Sequence, residues 1–372
     1  MNLIQRIIKN KSLYSRVPSF VKRIGRKFLP AYKYDQSIWA SQNEFIGTTY
    51  EWSCEFGSEQ KVGILWDFAQ NHVNYIRACH EEKISYQVID ISRHNWQELI
   101  KNYGIKYYLA WPSVYQSVWK NMFDNRIRIL SDELKMTVFP TEKEVWLYES
   151  KIRITEWLKA NDLPMLDTEI FYHKEEAIQY LTNKNFPIVI KIDNGASASG
   201  VFICQKLADA KKLIRDAFNE GIISKRGDTR DRQWGYVIIQ KYLEKAEEWR
   251  YVKIGEDYFC RLKGKVGDFH SGSGIVLWAE PDRMVLEMVK NISEKFKFDS
   301  LNLDFFKDED GNFYINEFHT VFGPILKKNI SPTDPLMGKY NFKDGEWVFT
   351  HGYFYDNACA NLRLKYFLDI MR

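Results

Sequence analysis

The chain has 372 residues, 45% of them hydrophobic and 27% charged, with a net charge of only +4. That is length enough for two or three packed subdomains, an ordinary composition for a soluble globular protein, and too little charge for a nucleic-acid-binding surface over the whole molecule, so no nucleic-acid partner is expected. Five scattered cysteines, Cys54, Cys79, Cys204, Cys260 and Cys359, argue against a disulfide framework and fit a reducing cytoplasm; no apolar run reaches the roughly eighteen residues of a membrane span, and the N-terminus lacks an apolar core of signal-peptide length.

Residues 1–34 hold nine Lys or Arg and no Asp or Glu. Apolar residues recur there at helical spacing (Leu3, Ile4, Ile7, Ile8, then Val17, Phe20, Val21, Ile24, Phe28), with Pro18 between two short helices. Such an arm suits an anionic membrane surface; the other reading is an arm packed on its own domain or on a neighbouring subunit of a homodimer. We treat residues 1–45 as this arm. "KVGILWD" (61–67), "SYQVIDIS" (85–92) and "IKYYLAWPS" (105–113) read as strands, with helices between them, the second closed by Gly104. The alternation predicts a doubly wound parallel sheet in a domain spanning 46–140. A capping box, Thr141 with Glu144, opens the next helical stretch. "FPIVIKID" (186–193) and "VFICQ" (201–205) read as strands around the small-residue loop "NGASASG" (194–200). "ADAKKLIRDAFNEG" (208–221) is an amphipathic helix with Ala210, Leu213, Ile214, Ala217 and Phe218 on one face. "SKRGDTRDRQ" (224–233) reads as a loop, and "YVIIQKYL" (236–243) as another apolar strand. A second subdomain is expected over 141–235 and a third over 236–372.

The stretch "NLDFFKDEDGNFYINEFH" (302–319) has two alternating segments about Asp310-Gly311, a strong hairpin signal for a type I′ turn. With those two residues at the tip, Asp304 faces Glu317 and Asn302 faces His319 on one side of the ribbon. Leu301, Leu303, Phe305, Tyr314 and Phe318 take the core side. Opposed carboxylates about 5 Å apart repel, so a positive group belongs between them. Hard oxygen ligands suit Mg²⁺ shared with phosphates. The alternative is an exposed hairpin whose acids face water. The loop after Lys191 offers small residues that let backbone N–H groups approach phosphate oxygens, although a flexible hairpin loop has the same composition.

The lysine-ended strand with its small-residue loop, then "VIIQKYLEKAEEWRY", then "SLNLDFF…YINEF", resemble in order and spacing the ATP-grasp superfamily, in particular ribosomal-protein glutamate ligases and glutathione synthetases, over about residues 60–325. The resemblance implies an N-terminal doubly wound α/β domain followed by two α+β subdomains that clasp ATP. It implies ATP-phosphate contacts from Lys151 and Lys191, and a phosphate flap that includes Gly195, Ser197, Ser199 and Gly200. It implies an adenine hinge at Gln240, Lys241 and Leu243, and ribose contact by Glu248. Arg250 and Arg261 would face the phosphoryl group or the substrate carboxylate. Asp304 and Glu317 would hold Mg²⁺, two ions with Mn²⁺ as a substitute, and Lys263, His270 and Ser271 would belong to the substrate pocket. The superfamily usually has Glu-x-Asn where this chain has Glu317-Phe318-His319, so His319 is either a metal ligand or a hydrogen-bonding neighbour of one.

Independently of the resemblance, two lysines, two arginines and two metal carboxylates suit phosphoryl transfer, which is mostly positioning and charge stabilisation. The leading expectation is an ATP-dependent carboxylate–amine ligase working through an acylphosphate, on a lipid-linked or small-molecule acid. The resemblance extends to ATP-grasp proteins of bacterial surface-polysaccharide pathways, which join amines to uronic acids. The competing expectations are a nucleotide-binding regulatory protein without ligase chemistry, and a phosphotransferase. Asp304→Asn and Glu317→Gln are both expected to abolish turnover with little effect on folding.

Overall fold

Short apolar strands alternating with helices build the first part of the chain. A computed structural model describes residues 51–114, 116–195, 199–224, 230–265, 275–321 and 334–372. The basic arm of residues 1–34 lies outside the described residues, as do Ser197, His270 and Ser271. The chain divides into two units, one holding the described residues as far as Glu142 with Arg230, Asp231 and Phe367–Arg372, the other holding the remaining described residues from Lys143 to Tyr366.

In the first unit, β1 (Ser53–Cys54), β2 (Lys61–Leu65), α1 (Val73–Glu82), β3 (Ser85–Ile89), α2 (Trp96–Tyr103), β4 (Tyr107–Leu109), α3 (Ser117–Arg128) and β5 (Thr137–Phe139) follow in order. The sheet order is β1-β3-β2-β4-β5. Its last four strands are parallel, with β1 added antiparallel at the edge. Val62, Ile64, Leu65, Val88 and Ile89 are all buried, as strands covered on both faces must be. Asp67, just past β2, is fully buried and accepts hydrogen bonds from the Ser113 amide at 2.8 Å, the Trp119 indole at 3.0 Å and the Ala69 amide at 3.0 Å. The Asp67 amide donates to His72 Nδ1 at 3.2 Å. Burial pushes the Asp67 carboxyl up to about 7 and the His72 imidazole down to about 3.

The second unit continues with α4 (Glu142–Leu147), α5 (Lys151–Ala160), β6 (Thr168–Phe171), α6 (Lys174–Leu181), β7 (Ile188–Lys191), β8 (Val201–Cys204), α7 (Leu207–Asn219), β9 (Val237–Lys241), β10 (Glu247–Ile254), β11 (Asp257–Lys263), β12 (Val276–Leu277), α8 (Arg283–Phe296), β13 (Ser300–Lys307), β14 (Phe313–His319), β15 (Gly338–Lys343), β16 (Glu346–His351) and α9 (Ala360–Ile370), whose end belongs to the first unit. A four-stranded antiparallel sheet has the order β6-β9-β7-β8. The expected apolar face of α7 packs on it, with Ala210, Ile214 and Ala217 buried against Ile188, Ile190 and Ile239. The larger antiparallel sheet runs β14-β13-β10-β11-β15-β16, with β12 paired to β11. On one of its faces α8 buries Val285, Leu286, Val289 and Ile292 against Trp249, Tyr251, Leu301, Leu303 and Phe305.

Alternation along a strand then dictates what the opposite face carries. It presents Glu248 and Arg250 from β10, Arg261 and Lys263 from β11, and Asn302 and Asp304 from β13. The β13–β14 hairpin departs from the expected uniform register. Asn302 pairs with His319 and Asp304 with Glu317, but Phe305 pairs with Ile315, so one residue is inserted beside Asp304/Phe305. Ile315 and Phe318 both lie in the core, and the inserted Asn316 shares the opposite face with Glu317, as in a β-bulge. Beyond the bulge the core side is taken by Phe313 and Ile315, not Tyr314.

The turn is also not type I′. Gly311 is left-handed at φ 85°, whereas Asp310 is not among the positive-φ residues. The loop closes instead on Asp308, whose amide donates to the Asn312 carbonyl at 3.0 Å and whose carboxylate accepts from the amides of Asp310 and Asn312 at 3.1 and 2.8 Å. An aspartate that satisfies its own turn in this way favours a longer loop over the two-residue one. Among the described residues no helix is long and apolar enough to cross a membrane.

Candidate active site

Two lysines of the second unit approach the carboxylate hairpin. Lys191 ends β7 and is buried; its Nζ donates to Asn316 Oδ1 at 3.0 Å, so the bulge residue supplies its partner. Burial lowers the Lys191 ammonium to about 8, with Glu317 opposing the shift. Lys151 opens α5, whose N-terminus is held by Asp193: the Asp193 carboxylate accepts from Ser150 Oγ at 2.8 Å and from the Ile152 amide at 2.9 Å, a favourable use of a helix N-terminus. This brings Lys151 Nζ within 3.2 Å of the carbonyls of Asp193 and Gly195.

The loop after β7 is clipped from the other side by Gln233, which accepts from the Asn194 amide at 3.0 Å and donates to its carbonyl at 2.8 Å. Gly195 sits at φ 154°, and a Cβ there would lie 3.0 Å from Ser199 Oγ and 3.2 Å from the Gly200 amide. Glycine is what this backbone allows. Ser199 and Gly200 are both buried. The residues expected at an adenine hinge lie at the end of the small sheet: Gln240 Nε2 donates to Thr168 Oγ1 at 2.9 Å and the Lys241 amide to the Asp167 carbonyl at 2.8 Å, with Leu243 partly buried two residues on.

On the large sheet Asp304 does not face water, and Glu317 is only partly exposed. Asp304 is fully buried. Arg250 grips it with two parallel hydrogen bonds, Nε to Oδ1 and Nη2 to Oδ2, both 2.7 Å; such bidentate pairs are short and strong. Lys263 also contacts Asp304 and turns its other side to Glu248, which is itself buried. Burial alone raises the Asp304 carboxyl, but Arg250 and Lys263 outweigh it and hold the group well below the usual carboxylate range. Glu317 is treated likewise: burial opposes ionisation, and His319, Lys151 and Lys263 overcome it and lower its pKa.

A histidine stands beside the two acids. His319 Nε2 lies 3.2 Å from Glu317 Oε2 and 3.5 Å from Asp304 Oδ2, and its Nδ1 lies 3.0 Å from Glu149 Oε1. Burial disfavours the charged ring, but Glu149, Asp304 and Glu317 together raise its pKa well above the ordinary value. Asp304, Glu317 and His319 offer three ligand atoms within 4.8 Å of one another, a donor set that fits a divalent cation.

The same face leaves polar groups without hydrogen-bond partners among the described residues. Arg261 is buried with Nε and Nη1 unpaired, lying over the Tyr355 ring at 5.8 Å, and both side-chain polar atoms of the fully buried Asn302 are unpaired. Burial, aided by Arg250, lowers the Arg261 guanidinium to about 10. Unpaired buried polar atoms of this kind are rare and costly.

Asp304 and Glu317, the lysines at the loop and the arginines on the sheet thus all belong to one unit. Lys263, expected in a substrate pocket, and Glu248, expected at a ribose, are found paired with each other. Asp304 is a fully buried carboxylate between two cations, which argues against the expectation that Asp304→Asn spares the fold. Glu149, Asn316, Asp193 and Gln233 were not singled out from the sequence. Glu149 lies two residues before Lys151, Asp193 two after Lys191 and Asn316 beside Glu317, so these three had a neighbouring signal, whereas Gln233 had none.

No protein-family model matches the chain. A phosphoribosylamine–glycine ligase of Escherichia coli O6:H1 is 30% identical over 244 residues, 56% of this chain and 54% of that protein. The chain spans only about a quarter to a half of the length of such curated relatives. Among solved structures, the biotin carboxylase domain of a Hydrogenobacter thermophilus 2-oxoglutarate carboxylase, in complex with MgADP, ADP and bicarbonate, is similar with a TM-score of 0.54 and 17% identity, over 74% of this chain and 65% of that one. A RimK-domain ATP-grasp protein of Sphaerobacter thermophilus is similar with a TM-score of 0.52 and 11% identity, over 83% of this chain and 99% of that one. The two antiparallel sheets of the second unit, the lysine-ended strand with its loop and the carboxylate hairpin agree with that likeness: the chain has the ATP-grasp fold.

Proposed function

We propose that the protein is an ATP-dependent carboxylate–amine ligase that forms an amide through an acylphosphate. The observation that carries this reading is the charge arrangement on one sheet face: Asp304 and Glu317 as paired carboxylates, with Arg250, Arg261, Lys263, Lys191 and Lys151 around them. Bound Mg²⁺ supplies charge neutralisation at the transferring phosphoryl group. The chain's own residues do the rest. Lys151 and Lys191, with the loop through Gly195, Ser199 and Gly200, receive the phosphates. Arg261, buried with Nε and Nη1 unpaired among the described residues, binds an anionic oxygen of the acid or of the phosphoryl group. Arg250 holds Asp304 in place. The buried setting strengthens each of these interactions and keeps water from the acylphosphate.

The similarity to a phosphoribosylamine–glycine ligase supports an amine acceptor and a carboxylate donor. The basic amphipathic sequence of residues 1–34 supports an acid presented at an anionic membrane surface, with the enzyme cytoplasmic and peripheral on the inner face. A uronic acid of a surface polysaccharide or its precursor fits that setting; an amino acid is the other carboxylate class the fold suits.

The test is ADP release with ATP and Mg²⁺ in the presence of pooled sugar acids and amino acids plus hydroxylamine, which captures an acylphosphate as its hydroxamate. A hydroxamate identifies the acid. ADP with a stable phosphorylated hydroxyl, or nucleotide binding without turnover on any pool, overturns the ligase reading.

A further inference from the structure

The imidazole of His319 is held at both nitrogens. Nδ1 faces Glu149 Oε1 at 3.0 Å, while Nε2 is directed at Glu317 Oε2, 3.2 Å away, and at Asp304 Oδ2, 3.5 Å away. Glu149 comes from the segment between α4 and α5 and has left-handed backbone, φ 58°. The ring of Tyr148 lies edge-on to the imidazole at 6.2 Å. A carboxylate on one ring nitrogen that aims the other at further carboxylates is the arrangement by which proteins orient a metal-binding histidine. The buried position of His319 and the three ligand atoms within 4.8 Å leave the ring no solvent role.

We propose that His319 is a direct ligand of the divalent cation through Nε2, with Glu149 as its positioning residue, and that the centre consequently favours a first-row transition ion over Mg²⁺. This rests on the reading of Asp304 and Glu317 as the metal carboxylates. Two carboxylate oxygens alone form a hard site suited to Mg²⁺; an imidazole nitrogen added to them moves affinity toward transition ions, for which nitrogen is a better donor.

The experiment uses the full chain with ADP and Mn²⁺ as the probe. Electron spin echo spectroscopy of bound Mn²⁺ is recorded on protein at natural abundance and on protein labelled with ¹⁵N-histidine. A directly coordinated nitrogen that changes isotope with the label is expected, and it disappears in His319→Asn. Competition of Mg²⁺ against Mn²⁺ should show the preference for Mn²⁺ falling about tenfold to a hundredfold in His319→Asn, with Glu149→Gln lowering Mn²⁺ affinity while keeping the nitrogen signal. Mn²⁺ bound with ADP but without histidine nitrogen coupling overturns the inference and leaves the carboxylate site standing. Absence of any ADP-dependent Mn²⁺ binding in the unaltered protein overturns both.

Discussion

Asp304→Asn removes the only charge on a fully buried side chain that is bonded twice by Arg250 and again by Lys263. Lys263 keeps Glu248 as a partner, but the Arg250 fork loses its anion. Arg250 cannot give up its proton to escape, because guanidinium stays charged in proteins. Breaking a buried pair by removing one member costs about 3–5 kcal/mol, since the remaining ion stays desolvated and uncompensated. In a unit of this size each kcal/mol moves the melting temperature by about 2–4 °C, so a fall of about 6–20 °C is expected. Glu317→Gln strands no bidentate partner, and its side chain is 18% exposed; it should cost about 1 kcal/mol. Thermal and urea unfolding of metal-free protein, followed by tryptophan fluorescence, gives both numbers. An Asp304→Asn protein as stable as Glu317→Gln would refute the reasoning that Asp304 serves the fold before it serves a metal.

Arg261→Met should leave stability unchanged or raise it, because Arg261 Nε and Nη1 are buried without partners among the described residues and an apolar isostere removes that penalty. The same variant should lose hydroxamate formation, so melting temperature and turnover move apart. Lys191→Met should weaken ADP binding about tenfold to a hundredfold by calorimetry, the worth of one charge-assisted contact. In the first unit, the pKa of Asp67 is raised from 3.8 to about 7, so its contribution to stability is present at low pH and lost as pH rises to about 7. The pKa of His72 is lowered from 6.5 to about 3, so its contribution is present above 6.5 and lost as pH falls. Between about pH 4 and 6.5 the two slopes cancel. His72→Gln should therefore expose the Asp67 slope, with stability falling by up to about 3 kcal/mol from pH 4 to pH 6.5 relative to the parent, read from urea midpoints.

The carboxylate pair was legible because strand alternation ties Asp304 and Glu317 to the side opposite Leu303 and Phe318, and a one-residue slip would bury charge in the core. The bulge at Asn316 was not. "FYIN" contains apolar side chains at successive positions, so either Tyr314 or its neighbours Phe313 and Ile315 could face inward, and only packing against α8 decides. The lysine-ended strand and its loop could be placed from composition, yet the clip made by Gln233 could not, since that residue sits at the end of a strongly polar segment. Glu149 lies 170 positions before His319, and no local pattern couples them. Their contact exists because the α4–α5 segment crosses the end of β14, and tertiary placement of that kind has no sequence period.

Oxygen transfer tests the acylphosphate most directly. With the acid found by hydroxamate trapping, its carboxylate is labelled with ¹⁸O, and the phosphate released during amide formation is analysed by mass spectrometry. One ¹⁸O atom per phosphate is the result predicted, because the carboxylate oxygen that attacks the γ-phosphoryl group leaves with it when the amine displaces phosphate. Unlabelled phosphate accompanying ADP and product would contradict the central claim.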